Sequence, residues 1–286
     1  MKNLKIAALA SVILLNHNVA LASNAEDRYV YIGTELGISE PVVKEFSYKS
    51  QRGETKMRLK QSRMYGGRIG YSFYPNMAVE LSGTHQPKYR LAYRLPAIDL
   101  TSTIQGLVTQ SLIIGQGLAP AAASAVAQAQ FPSAGIPTTH DITKVSANVF
   151  TLNWIYEFEK QKMGLKPYVI FGAGVAQINI RPNKTFWQPE GNLATLPGFA
   201  GPIEFFRVKK NVHNCFAYQL GGGISKDISD HFAVDLGAKL QVVKDIKIKY
   251  ETLDMTTQSF KSQTPIKKTI GVGEFTLGFT FKIPVK

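Results

Sequence analysis

The 286-residue sequence contains one cysteine, Cys215, so no intramolecular disulfide can form. Whatever holds the fold together, it is not the covalent stapling of small secreted domains. Long hydrophobic runs are missing too. The run Ile6 to Leu15 is about half the ~20 residues that a membrane-crossing helix needs. A second stretch, between Asp99 and Asp141, has no charged residue, but Gly115, Gly117 and Pro120 interrupt it and Gln and Ser dilute it. Transmembrane helices are thereby excluded, and the second stretch reads as a loop insertion. Acids are scarce: 20 Asp and Glu oppose 33 Lys and Arg, giving a formal charge of +13.

That excess suits anionic partners, among them lipopolysaccharide, sulfated glycans, acidic proteins or nucleic acid. Nucleic acid is set aside, because the sequence has no zinc spacing, no phosphate loop and no recognition-helix pattern, and because its N-terminus is an export label. Lys2 and Lys5 precede the apolar run, and Ala20-Leu21-Ala22 offers a small-x-small cleavage site. Residues 1–22 are read as a signal peptide and 23–286 as the mature protein, with a charge of +11 once Lys2 and Lys5 are gone. No cysteine near the cleavage site could carry a lipoprotein anchor.

The dominant pattern in the mature chain is alternation with period two, in runs of about ten residues, the length a tilted strand needs to cross a bilayer. Eight runs qualify: 28–36, 64–73, 77–85, 145–156, 167–178, 214–225, 232–242 and 270–283. In the last, Phe275, Leu277, Phe279, Phe281 and Ile283 share one face, and Glu274, Thr276, Gly278 and Thr280 the other. A soluble sandwich strand also alternates, so glycine decides. Gly66, Gly67, Gly70, Gly172, Gly174, Gly221, Gly222, Gly223, Gly237, Gly271, Gly273 and Gly278 lie inside strand patterns, where they would weaken an ordinary sheet but make room inside a narrow barrel.

The segment from Gly66 to Leu81 also echoes that from Gly221 to Leu236 at a constant offset, marking two hairpins of one kind. Links between runs alternate long and short, as in outer-membrane barrels with tight periplasmic turns, one of them at Tyr74-Pro75-Asn76. Tyr71, Phe73, Trp154, Tyr156, Tyr168, Phe216, Phe232 and Phe281 gather near strand ends, as in an interfacial girdle. The expected fold is therefore all-β: an eight-stranded antiparallel transmembrane β-barrel with long extracellular loops, including 39–63 and a loop insertion at 86–144. Hydrocarbon leaves unpaired backbone groups unsatisfied, so strands cross it only as a closed ring.

Eight strands leave a bore filled by side chains. Glu35, Arg68, Glu80, Gln177, Gln219, Asp235, Lys239 and Glu274 form the inward polar set. A buried charge needs a partner, so Arg68 is expected beside Glu80, and Lys239 beside Asp235 or Glu274, as a structural network. No catalytic, cofactor or metal site is read: His85, His140, His213 and His231 have no ligand spacing, and His140-Asp141 is read as ordinary loop. The loops are basic instead. Lys44, Lys49, Arg52, Lys56, Arg58 and Lys60 in the first, with Lys247 and Lys249 in the fourth, are the candidate partner-binding residues. They suit either a host protein or glycan, or the anionic outer leaflet.

Gly-Gly-Arg-Ile-Gly-Tyr at 66–71, Lys-Pro-Tyr-Val-Ile-Phe-Gly-Ala-Gly at 166–174 and Phe-Ala-Tyr-Gln-Leu-Gly-Gly-Gly at 216–223 resemble the OmpA-like family of eight-stranded outer-membrane barrels, over roughly half the mature chain. Within it, the chain is similar to rickettsial surface proteins described as adhesins. That resemblance implies a cell-surface protein, not an enzyme, that attaches to host cells through a host surface or serum protein such as vitronectin. Thr276, Gly278, Phe281 and Ile283 also resemble the terminal signal read by the barrel-insertion machinery. The alternatives are a structural envelope barrel and a narrow small-solute channel.

Overall fold

The computed structural model describes residues 28–50, 53–74, 76–161, 163–191, 194, 200–254 and 257–285. The signal peptide, Arg52 and Pro75 lie outside these. The eight alternating runs all form strands, and each extends beyond the expected length: β1 (Tyr29–Pro41), β4 (Ser62–Tyr74), β5 (Met77–Leu95), β8 (Thr139–Glu157), β9 (Leu165–Ile180), β12 (Asn211–Ser229), β13 (Phe232–Ile248) and β16 (Ile266–Pro284). They pair in antiparallel sequence, and the β1–β16 and β5–β8 ladders close the ring. No described helix is long and apolar enough to cross a membrane.

The ladder fixes the geometry of the ring. From Asn214 one hydrogen-bonded row passes through Gln177, Asn148, His85, Tyr65, Leu36, Leu277 and Leu236 to Ile224, ten residues further along β12 than it began. With strands about 4.8 Å apart and a rise of about 3.3 Å per residue, this stagger tilts the strands by about 40°, so each residue adds about 2.5 Å of height. The echoed hairpins have matching registers: Gly67 opposes Gly83 as Gly222 opposes Ala238.

Alternation then sorts side chains between lipid and bore. Phe171, Leu220 and Phe275 point outward and are more than half exposed, with Leu36, Leu81, Leu236 and Leu277 at neighbouring positions. Together they form a continuous apolar band, about 25 Å tall by the rise above, which matches the hydrocarbon band of transmembrane barrels. A surface of this size would not survive in water on a monomer. The fold is thus an eight-stranded transmembrane β-barrel. At the lower end Phe73 packs edge-on to Trp154 with ring centres 5.5 Å apart, and Tyr71 and Tyr156 lie nearby. Phe216 lies outward near the upper end of β12, but one expected girdle residue sits elsewhere: Tyr168 faces the bore, where its ring lies near Gly223 and Gly237.

Where the band stops at its upper edge, polar residues take over the outer face. His85 Nδ1 bonds Asn148 Oδ1, and Asn148 donates to Gln177 at 3.3 Å. Gln177 therefore faces outward, correcting the inward expectation: Gly172, Gly174 and Ala176 hold the inner face of β9, and the odd positions go to the other side. Just above this edge two strands bulge, β5 between Gln86 and Tyr89 and β13 between Val243 and Ile246. Pro87, which cannot donate to a ladder, sits in the first, and Asp245, at a positive φ of 57°, in the second.

The barrel wall does not end there. Residues 86–95 and 139–144, expected within a loop, instead continue β5 and β8 as strand, so the insertion proper starts at Pro96 and ends at residue 138. It contains a short pairing of β6 (Ile98–Asp99) with β7 (Gly135–Ile136) around two helices, α1 (Thr101–Gln116) and α2 (Pro120–Gln130). The first outer loop is a hairpin, β2 (Glu45–Ser50) and β3 (Gly53–Leu59), and β3 pairs with the upper part of β5. The third and fourth loops build a second sheet from β10 (Asn183–Trp187), β11 (Ile203–Val208), β14 (Tyr250–Asp254) and β15 (Ser259–Ser262).

Candidate functional site

Two polar assemblies stand out, one in the bore and one in the crown of outer loops. In the bore, Arg68 lies across the positions of Gly33 and Gly278, where side chains would block its path, and reaches Asp235 and Thr280 on the far wall. Its Nε is 3.9 Å from Glu80, as expected. Lys239 takes a different partner. Its Nζ is 2.8 Å from Glu35 Oε2, and neither Asp235 nor Glu274 pairs with it. Asp235 is held by Arg68 and Thr280, and Glu274 accepts from Gln86 at 2.6 Å. A narrow bore lets a side chain cross to another strand, so adjacency along the sheet does not select partners here.

Other hydrogen bonds fill the section. Gln219 donates to Asn153 at 2.7 Å, Asn153 donates to Glu80 at 2.9 Å, and Tyr31 donates to Glu80 at 3.1 Å. A cavity of about 40 Å³ beside Tyr31, Arg68, Glu80 and Asp235 leaves room for roughly one water, and another of the same size lies higher, among apolar side chains. Above the membrane edge the lining changes to an apolar core that includes Leu59, Tyr89, Leu91, Ile178, Ile180, Val243, Ile248 and Val272. This core anchors the crown.

The crown is interlocked. Tyr93 of β5 meets Thr185 at 2.9 Å and accepts from Asn183 at 2.8 Å, both in the third loop. Thr185 in turn reaches Asp141 at 2.9 Å, so Asp141 supports the loop, and His140 beside it is exposed. Tyr48 of the first loop meets Tyr250 of the fourth edge-on, and Tyr250 stacks with Phe206 of the third at 5.5 Å. Around these rings opens a cavity of about 420 Å³ whose walls come from all four loops, among them Tyr48, Ile98, Phe206, Tyr250, Asp254 and Gln263. Its volume falls within the ordinary range for small-ligand sites.

Several crown cations are compensated by acids. Glu251 accepts from Lys209 at 2.7 Å, Ser262 at 2.7 Å and Arg207 at 2.6 Å, and these bonds pull its carboxyl down to about 2. Lys184 pairs with Glu204, Lys44 with Glu40, and Lys261 with Asp254. A depressed acid contributes stability above its unfolded value near 4.5, and loses it as pH falls from there through about 2. Amide exchange in β11 and β14 should accordingly quicken over that window. The E251Q variant is expected to flatten the pH response and to weaken this sheet by about 1–2 kcal/mol at neutral pH, since its cation partners are partly exposed. An unchanged exchange profile in E251Q would contradict this role.

The candidate binding cations divide into groups. Lys56 and Arg58 are exposed on the outer face of β3 and Lys60 just past its end, beside Arg90 and Arg94 of β5, which the sequence reading had missed because it placed 86–144 in a loop. Lys49 is exposed on β2. Lys247 stands elsewhere, opposite Lys267 at the top of β13, with Lys249 just beyond. The structure does not gather the candidates into one patch.

No family model matches the sequence. The uncharacterized protein RP788 of Rickettsia prowazekii (strain Madrid E) is 34% identical over 221 residues, which cover 77% of this chain and 99% of that protein. The chain belongs to the RP788 family. Among solved structures, it is similar to neisserial surface protein A, with 11% identity, 90% and 97% of the two chains covered and a TM-score of 0.41. OprG of Pseudomonas aeruginosa gives 14% identity, 91% and 98% coverage and a TM-score of 0.45. For this RP788 relative, the fold rests on the closed ladder and its two sorted faces.

Proposed function

We propose that this RP788 relative is an outer-membrane surface protein that attaches its cell to a host surface or serum protein through the crown. The observation that carries this reading is the crown's construction: four loops share an apolar core and converge on one cavity of about 420 Å³. A barrel serving only as envelope structure needs no such cap, and binding surfaces are commonly loops held on a rigid scaffold. Vitronectin is the partner that the family resemblance implies. The filled bore weighs against the small-solute channel.

Export by residues 1–22 and recognition of β16 by the insertion machinery belong to the same proposal. In β16, Phe281 and Ile283 face outward and Thr276 and Gly278 inward, the polarity that such a terminal strand would present. The test is to display the barrel on a non-adherent bacterium and score attachment to host cells and to immobilised vitronectin. Attachment should rise over an empty barrel, and K49Q/K56Q/R58Q should lower it and its salt sensitivity. Attachment equal to that of a barrel with shortened loops would refute adhesion.

A further inference from the structure

Immediately above the apolar band, the outer wall carries a collar of cations. Arg63 lies two residues above Tyr65 on β4, Lys88 and Lys244 sit in the two bulges, and Arg90, Lys144 and Lys267 follow on β5, β8 and β16. All six are exposed, while the residues next to them, Met64, Tyr89, Thr143 and Val243, are buried. By the tilt and rise above, the six fall within a belt roughly 13 Å tall that starts where the band stops. This is headgroup depth, and Lys and Arg stems are long enough to bring their charges to a common level.

No described acid forms an ion pair with any of the six, whereas Lys44, Lys184, Arg207, Lys209 and Lys261 of the crown are each held by one. Two acids share the belt: Glu40, bound by Lys44 at 2.6 Å, and exposed Asp245 beside Lys244. The ion pairs of the crown and the bore show that this chain can place carboxylates beside its cations. The collar is unpaired and faces sideways, toward the surrounding leaflet.

We propose that the collar is a docking surface for the phosphate groups of the outer-leaflet glycolipid, holding phosphorylated lipid A headgroups against the wall of the barrel. Phosphates replace the missing acids, and acyl chains continue down the apolar band, so one ligand meets both surfaces. The proposal depends on the membrane placement of the barrel and not on adhesion.

The test places the full barrel in nanodiscs of neutral lipid with a minor fraction of lipid A, either bisphosphorylated or dephosphorylated, and measures retained lipid A by native mass spectrometry. The wild type should retain the bisphosphorylated form, less so at high salt, and release the dephosphorylated one. Substitution of the collar (R63Q/K88Q/R90Q/K144Q/K244Q/K267Q) should lower retention at least about ten-fold, given the attraction of each basic group to an anionic surface. The crown variant K49Q/K56Q/R58Q should retain lipid A as the wild type does. Equal retention by wild type and collar variant, equal retention of both lipids, or equal loss in the crown variant would overturn the proposal. A heat-dependent gel shift reports insertion separately. If the sixfold variant does not insert, R63Q/K88Q and K144Q/K244Q should each lose part of the retention, and no loss in either would be equally fatal.

Discussion

Replacing Arg68 with alanine is expected to destabilise the barrel by about 3–5 kcal/mol, read as a lower midpoint of urea unfolding in lipid vesicles. The side chain crosses the bore to Asp235 and Thr280 and passes within 3.9 Å of Glu80. Asp235 and Glu80 are both buried, so truncation leaves two carboxylates without their cation in a region that water barely enters. The cost is that of the abandoned acids and not the worth of the pair. The triple variant R68M/E80Q/D235N should therefore recover much of the loss. A cost below about 1 kcal/mol for R68A would mean that water and protons reach the site freely and that the bore is not packed as described.

Leu277→Arg is expected to cost about 2–4 kcal/mol, measured in the same way. Leu277 is 39% exposed and lies near mid-height of the apolar band, level with Leu81 and Leu36. In water, arginine at so exposed a position would be nearly neutral. In hydrocarbon it must drag its charge toward an interface. Arginine at Lys144, on the same outer surface but above the band, should change stability by less than about 0.5 kcal/mol. Similar small effects at both positions would show that the outer face of the barrel meets water.

Much of this architecture could be read from the sequence, because alternation is a local signal. Phe275 to Ile283 state their two faces plainly, and the structure keeps each of those assignments. The strand lengths were underestimated because the upper segments have a different inner face. Leu91, Tyr93 and Leu95 point into an apolar core while Arg90 and Arg94 point out, and the bulge at Gln86 to Tyr89 shifts the phase between the two halves of β5. A period-two scan loses the pattern at such a shift.

Side-chain partners in the bore were less legible. Arg68 with Glu80 followed from nearby strands, but Lys239 with Glu35 spans β16 and depends on the bore's diameter, which follows from the ten-residue stagger. The crown was least legible of all. Glu251 with Arg207 and Lys209, and the stacking of Phe206 on Tyr250, join different loops with no periodic signal to announce them. Counting cations gave the net charge of the loops, but only the pairing separates compensated cations such as Arg207 and Lys209 from bare ones such as Lys56, Arg58 and the collar.

The placement of lipid on the outer face can be tested with spin labels at single cysteines in a Cys215→Ser background, reading collision with oxygen against a water-soluble nickel chelate. A lipid-facing barrel predicts that labels at Leu81 and Leu277 meet oxygen and not nickel, while a label at Lys88 above the band meets nickel. Nickel reaching Leu81 and Leu277 as readily as Lys88 would contradict it.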